Sequence, residues 1–375
     1  MRVRILMVLM KIITSNAHIL RFTVGIVFTI LLCSFDVRGQ EPATDNMASA
    51  IERVINEGQT VGIAAGAIRD TSTWFYGAGF RDVSTQALFT EHTITRIASI
   101  AKPMTAIATL QLVEQGKLSL DDPISKYIPE IKNKKLLAAT VKHLLQHTSG
   151  VKAYKNKKEA NNTKQYPTHL DAAELFMNRK LLFDPGEGYR YSTYNYTLLS
   201  IILERVSGQS YEAYMQEHIF DVAGMSSTSV EEFGNYPEGK ATIYTDDNGF
   251  KAVTDSNLSD RVAGVGIQST VHDVLLFAKA VTSNLLISEE SFKLMIEDSG
   301  MKKEGNPYGV GWFLYGDSQN SGPIIGHTGG QVGCTAMLII IPGAKAATVA
   351  ITNVAGVPSV SQIANDLFAV VAEMK

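Results

Sequence analysis

The chain has 375 residues, 45% of them hydrophobic and 19% charged, which is enough apolar material for one sizeable core or two subdomains and carries no signature of disorder. A formal net charge of -3 supplies no broad basic field, so nucleic acid is excluded as a partner and a membrane is met only through the N-terminal segment. The two cysteines, Cys33 and Cys334, do not form a disulfide framework.

The chain opens with Arg2, Arg4, Lys11 and Arg21, followed by the apolar run FTVGIVFTILLC and a polar stretch. A run of about twelve residues matches the core of a signal peptide and falls short of a membrane-spanning helix. Residues 1–39 are therefore read as an export signal cleaved near Gly39, where Val37 and Gly39 are small enough for the two positions a peptidase inspects. An uncleaved anchor is the alternative. Lipidation at Cys33 is disfavoured by the bulky Leu32 before it. Export implies a periplasmic or extracellular protein. Cleavage would leave Cys334 alone in an apolar run, as a small buried hydrophobe.

From residue 40 to 375 a single catalytic unit is expected. Met47, Ile51, Val54 and Ile55 are spaced like one helix face that stops at Gly58. VGIAAGAI and TSTWFYGAGF read as two strands turning around Asp70 to Ser72. A helical pattern runs from Ser99 to Gln115, and a loop punctuated by Gly, Asp and Pro follows. TVKHLLQHTSG predicts a short helix ending at Gly150, and a lysine-rich surface loop comes next. YTLLSIILERVSG predicts an apolar helix closed by Gly208, with YEAYMQEHIF as another. PIIGHTGG, TAMLIIIPG and KAATVAITN read as three strands, and SQIANDLFAVVAEM as a terminal helix. Strands at both ends suggest one sheet built from the two termini, with a helical insertion over about residues 105–260 and an active site in the groove between the two subdomains.

A serine hydroxyl is a weak nucleophile until a base takes its proton, and a lysine does so when its pKa is lowered. Ser99 and Lys102 in SIAK, three residues apart, lie on one helix face within hydrogen-bonding reach. A serine at a helix N-terminus also brings its own N–H and the positive end of the helix dipole to an oxyanion. Pro103 is compatible with a first turn. By itself this spacing is common, and a capping serine beside a surface lysine is the plain alternative.

The wider text settles more. TITRIASIAKPMTAIATLQLVEQGKLSLDDPISKYIPE, VKHLLQHTSGV, FDPGEGYRYSTYNYTLLSIILERVSG, YGVGWF and IIGHTGGQVGCTAMLIIIPG resemble, in order and over nearly all of the chain beyond the signal, the serine β-lactamase and penicillin-binding protein superfamily, in its class C β-lactamase-like branch. The resemblance implies an α/β (α+β) protein with the β-lactamase/transpeptidase-like fold: an antiparallel sheet flanked by helices, with a largely helical second subdomain. It implies that Ser99 forms a covalent acyl-enzyme, that Lys102 helps deprotonate it, and that Tyr191 shares the proton work. His327 would lend positive or hydrogen-bonding character near the base. The N–H of Gly330 would join that of Ser99 as an oxyanion hole, and Thr328 and Gly329 would line the substrate groove. No cofactor or metal is implied.

One position departs from the pattern. The family's Tyr-x-Asn is here Tyr191-Ser192-Thr193, and no neighbouring frame restores it, because Asn195 follows Thr193 and Tyr189 precedes Tyr191 by two. A threonine hydroxyl is shorter than an amide and has one proton to offer, so Thr193 is expected to keep a bond to Lys102 and lose reach toward the substrate. A Tyr-Ser-Thr variant resembles that of the mitochondrial β-lactamase-like serine proteases. Efficient penicillin hydrolysis is therefore doubtful.

His143 and His147 have the spacing of a zinc pair, but LLQ between them lacks the glutamate of a zinc protease, and both are read as backbone-bonded residues at a helix end. Glu187 reads as a structural loop residue. Tyr154, Tyr308 and Trp312 lie in regions that line the groove in the family, either as contacts or as core, and GVGIQST (264–270) corresponds to a small-residue loop near the site. The expected function is hydrolysis of an amide or ester in a small-molecule or peptide substrate: a D-alanyl peptide, a β-lactam or a small ester, with peptidoglycan among the partners. The alternative is a catalytically silent cell-wall-binding or scaffold homologue.

Overall fold

The computed structural model describes residues 42–246, 249–254, 256–301 and 307–374, so the expected signal segment lies outside the described residues. The strands are β1 (Gly62–Arg69), β2 (Ser72–Asp82), β3 (Ala87–Leu88), β4 (Thr95–Arg96), β5 (Ser229–Val230) and β6 (Tyr244–Asp246). They continue as β7 (Phe250–Ala252), β8 (Ile267–Ser269), β9 (Phe313–Ser318), β10 (Gly322–Gln331), β11 (Cys334–Ile341) and β12 (Ala346–Thr352). Seven of them form one sheet in the order β3-β2-β1-β12-β11-β10-β9. Its β1–β12 seam runs antiparallel from Ile63 opposite Thr352 to Arg69 opposite Ala346. It joins a hairpin near residue 70 to strands some three hundred positions later, and the pairing is as regular as in the local β1–β2 hairpin.

The helices that bear on the site are α1 (Ala43–Asn56), α2 (Ala101–Glu114), α3 (Val141–Leu145), α4 (Tyr194–Ser207), α5 (Val262–Val265), α6 (Val271–Thr282) and α7 (Ser359–Asp366). Strands β1 and β12 are buried along almost their whole length, which requires cover on both faces of the sheet. Helix α6 packs on β1 and β12, and α7 packs on β11 and β12 beside α1. The alternation of Met47, Ile51 and Val54 accounts for α1, whose inner face they form.

Helix α2 is different: every residue from Ala101 to Leu110 is buried, so that stretch has no solvent face. A helix that is apolar all round belongs in a core. It packs against α4 and α5, and its N-terminal end leads out of the short strand β4. Helix α4 ends at Gly208 in the left-handed conformation, as expected of that glycine.

Three expectations need correction. Helix α3 stops at Leu145 rather than running to Gly150, because His147 takes a left-handed φ of 59°. YEAYMQEHIF is α-helical only to Met215 and then widens into a π turn over Gln216–Phe220. The terminal helix is broken at Leu367.

Candidate active site

The chain reaches Ser99 through an anchored strand. Arg96 in β4 is 1% exposed, and its guanidinium donates to Glu231 Oε2 at 2.8 Å and Oε1 at 2.6 Å, to Ser256 Oγ at 2.8 Å and to the Val332 carbonyl at 2.9 Å. The bidentate pair fixes the strand geometrically as well as electrostatically. Ala98 then adopts φ 48°, a left-handed conformation that costs an L-residue roughly 1–2 kcal/mol. Ser99 follows in a 3₁₀ turn, Ala98–Ile100, that leads directly into α2.

This turn rests against β10. A side chain on Gly329 would place its Cβ 2.6 Å from the Ile97 carbonyl oxygen, 3.0 Å from Ala336 Cβ and 3.4 Å from Ala98 Cβ. Gly329 is therefore a glycine so that the strained Ser99 turn can press on the strand. Gly329, expected to line the substrate groove, is buried, and its missing side chain faces inward. Gly330 has nothing within 4 Å of a Cβ position and is exposed, as is Thr328. Pairing of β10 with β9 ends at Gly326 opposite Phe313, while pairing with β11 continues to Gln331. From His327 onward the β9 side of β10 is an open strand edge among the described residues.

Lys102 is 0% exposed. Its Nζ lies 2.9 Å from Ser99 Oγ, 2.8 Å from the Gly264 carbonyl oxygen and 3.4 Å from Thr193 Oγ1. Burial holds its pKa well below the ordinary lysine value. All three oxygens are placed to accept from Nζ; the lowered pKa favours the free amine, whose lone pair can then take the Ser99 hydroxyl proton. The 3₁₀-to-α junction thus preserves the serine–lysine contact read from the sequence.

Tyr191 and Thr193 arrive at the N-terminal end of α4. The Tyr191 ring centroid is 4.9 Å from Lys102 Nζ, and the phenol interacts with the Ser99 side chain. Burial pushes the phenol pKa well above its ordinary value, with the Ser99 hydroxyl opposing the shift. Thr193 keeps the bond to Lys102, and its methyl fills a space that only a glycine leaves open: a Cβ on Gly264 would lie 2.4 Å from Thr193 Cγ2. Asn195 does not stand in for the family asparagine. It is fully buried and turned away, its Oδ1 accepting from Ser149 Oγ at 2.6 Å and its Nδ2 lying 3.1 Å from His147 Nδ1.

His327 is fully buried, and its Nδ1 lies 2.7 Å from the Thr328 carbonyl oxygen, which only a protonated nitrogen can satisfy. Nε2 is then the acceptor for the Tyr308 hydroxyl at 3.2 Å. Burial, reinforced by the nearby Lys102, lowers its pKa to about 3. Of the two characters expected of His327, positive or hydrogen-bonding, the structure favours the second: a neutral imidazole that contributes hydrogen bonds. Tyr308 accordingly belongs to the base of the site, Trp312 is core stacked on Phe277, and Tyr154 lies half-buried over the Arg261 guanidinium. Glu187 is exposed in its loop. His143 Nδ1 accepts the Thr140 N–H, a capping bond. The Gly264 carbonyl is the participant sequence reasoning missed. GVGIQST had drawn attention to it as a loop only.

The sequence profile of the Beta-lactamase family matches residues 47–372. The mitochondrial serine beta-lactamase-like protein LACTB of Homo sapiens is 27% identical over 396 residues, covering 80% of this chain and 72% of that relative. Penicillin-binding protein 4* of Bacillus subtilis (strain 168) is 28% identical, over 71% of this chain and 62% of its own. Among solved structures, the octameric penicillin-binding protein homologue from Pyrococcus abyssi superposes with a TM-score of 0.78 at 27% identity, covering 88% of this chain and 77% of its own. The D-amino acid amidase from Ochrobactrum anthropi SV3 superposes with a TM-score of 0.76 at 22% identity, over 88% and 98% of the two chains, a likeness of fold. With the serine–lysine–tyrosine cluster in a fold of this kind, the chain belongs to the beta-lactamase family and is a serine hydrolase.

Proposed function

We propose that this is an exported hydrolase of amides or esters that works through an acyl-enzyme on Ser99. The observation that carries the reading is Lys102, fully buried and 2.9 Å from Ser99 Oγ. Lys102 takes the serine proton as Oγ bonds to the substrate carbonyl carbon, and the N–H groups of Ser99 and Gly330 receive the oxyanion. When the carbon–nitrogen or carbon–oxygen bond breaks, the leaving group takes a proton. Tyr191 is suited to deliver it, since its raised pKa keeps the phenol protonated, and Lys102 restores the phenol. Water then attacks the ester, its proton passing to the same base, and releases the acid and free Ser99. His327 stays neutral, and the open edge of β10 from Thr328 to Gly330 offers backbone bonds to an extended substrate.

Thr193 shapes the substrate class. Its hydroxyl is committed to Lys102 and its methyl to the Gly264 gap, so no amide reaches toward the substrate from this position. D-alanyl peptides and small esters are favoured over rapid penicillin turnover. Residues 1–39 would direct the enzyme to the periplasm or outside the cell, and N-terminal sequencing of secreted protein should begin near Gln40. Labelling with a fluorophosphonate probe tests the nucleophile: Ser99→Ala should label no longer, and persistent labelling overturns the assignment. A mass-spectrometric time course with penicillin should show a lasting adduct of one acyl group, whereas rapid turnover would mark a β-lactamase.

A further inference from the structure

His147 lies outside the cluster just described, yet the structure ties it to Tyr191 three times. The Arg190 N–H donates to the His147 carbonyl at 2.9 Å, and the Ser192 N–H donates to His147 Nδ1 at 3.3 Å. The residues on either side of Tyr191 are thus held by one histidine. The third contact is ring to ring, with centroids 4.3 Å apart at 47°.

The imidazole is itself over-determined. It is 0% exposed, and its backbone sits at φ 59°, a left-handed conformation uncommon for a residue other than glycine. The Asn195 amide, oriented by Ser149 Oγ, joins the Ser192 N–H at Nδ1. Two donors converging on Nδ1 leave it unprotonated, so the proton is on Nε2. Nε2 has no hydrogen-bond partner among the described residues, and the ring lies among aromatic ones, with centroids of Tyr308 at 4.8 Å and Tyr196 at 5.4 Å. Protonating Nδ1 would set it against two donors in a dry site, and burial holds the imidazole pKa well below its ordinary value. A buried, strained, half-satisfied polar residue is costly and needs a reason.

We propose that His147 is a positioning residue for the reaction: it clamps the backbone on both sides of Tyr191 and seats its ring, so that the phenol is held against Ser99. The proposal rests on the reading of Ser99 as nucleophile and Tyr191 as proton carrier. It makes the His-Thr-Ser-Gly turn after α3 part of the catalytic apparatus, acting through Tyr191 without touching substrate.

A double-mutant cycle tests it, with hydrolysis of p-nitrophenyl acetate and the rate of fluorophosphonate labelling as readouts. His147→Phe keeps a ring and removes the Nδ1 acceptor. His147→Asn keeps an acceptor, tolerates the left-handed backbone and removes the ring. Each should lower kcat roughly tenfold or more with KM changed by less than about twofold, because misplacing a catalytic group by about 1 Å is enough to do so. In a Tyr191→Phe background the same His147 substitutions should cost less than about twofold further, since coupled residues are non-additive. A merely structural histidine would lower the thermal midpoint and multiply the Tyr191→Phe defect. Full multiplication, or wild-type kcat in either folded His147 variant, overturns the proposal, as does a Tyr191→Phe enzyme that is fully active. Should His147→Phe fail to fold, the Asn variant carries the cycle; failure of both to fold marks a structural residue and overturns it too. Loss of the Ser99 reading would show separately, as activity remaining in Ser99→Ala.

Discussion

Gly264→Ala adds one methyl group to the lining of the site, and the structure predicts its consequences. The new Cβ would lie 2.4 Å from Thr193 Cγ2 and 3.2 Å from the Thr193 carbonyl oxygen. Ordinary carbon contacts need about 3.5 Å or more, so either α5 or the start of α4 must retreat by roughly 1 Å. Both elements hold Lys102, through the Gly264 carbonyl at 2.8 Å and Thr193 Oγ1 at 3.4 Å. Overpacking of this kind costs about 1–3 kcal/mol. Replacing a helical glycine by alanine returns about 1 kcal/mol, because Gly264 is in α5 with no left-handed φ to protect. The net loss of stability is therefore small, about 0–2 kcal/mol, while kcat/KM should fall about tenfold to a hundredfold as the lysine leaves its line with Ser99. Steady-state ester hydrolysis and thermal melting separate the two effects. Thr193→Ser deletes the clashing methyl and keeps the hydroxyl, so Gly264→Ala/Thr193→Ser should recover most of the lost activity. A double variant no better than Gly264→Ala alone would refute this steric reasoning.

The remaining predictions concern the glycines of β10, the pH dependence and the Arg96 anchor. Gly329→Ala should destabilise by about 1–3 kcal/mol in denaturant unfolding, because its Cβ meets the Ile97 carbonyl at 2.6 Å, whereas Gly330→Ala should unfold as wild type, having open space around it. Equal midpoints for the two would contradict the inward-facing role of Gly329. The free amine of Lys102 is the reactive form, and its pKa is lowered by burial; kcat/KM should therefore rise with pH through one ionisation well below the ordinary lysine value. The raised pKa of Tyr191 predicts no alkaline loss below about pH 10. An acid limb at the ordinary lysine value would count against Lys102 as the base. Glu231→Gln leaves the Arg96 guanidinium, 1% exposed, without its carboxylate, and chemical unfolding should show a loss of about 3–5 kcal/mol.

Helical and strand periodicity alone located α1, the β1–β2 hairpin, α4 with its glycine stop, and β10 to β12, because those patterns follow from backbone geometry. They left β9 and α6 undefined. The motif spacing Ser99-x-x-Lys102 dictated a contact, since residues three apart meet on any helical turn, and that contact survives a change from α to 3₁₀ at Ser99. Tyr191, Thr193 and His327-Thr328-Gly329 were legible through family resemblance.

The chemistry of these groups was not legible, because it comes from burial and from partners remote along the chain. The Gly264 carbonyl, 162 positions from Lys102, and Thr193, 91 positions away, meet that lysine only when α5 and α4 pack on α2. The lysine's lowered pKa and the neutrality of His327 both follow from a dry interior. His147 looked like the end of a helix; its bonds to the backbone on either side of Tyr191 form only because the chain at 190–192 folds against it. The sequence thus determined which groups are present and which are neighbours within one turn. The tertiary structure decided which of them are buried, which carry a proton and what holds them in line.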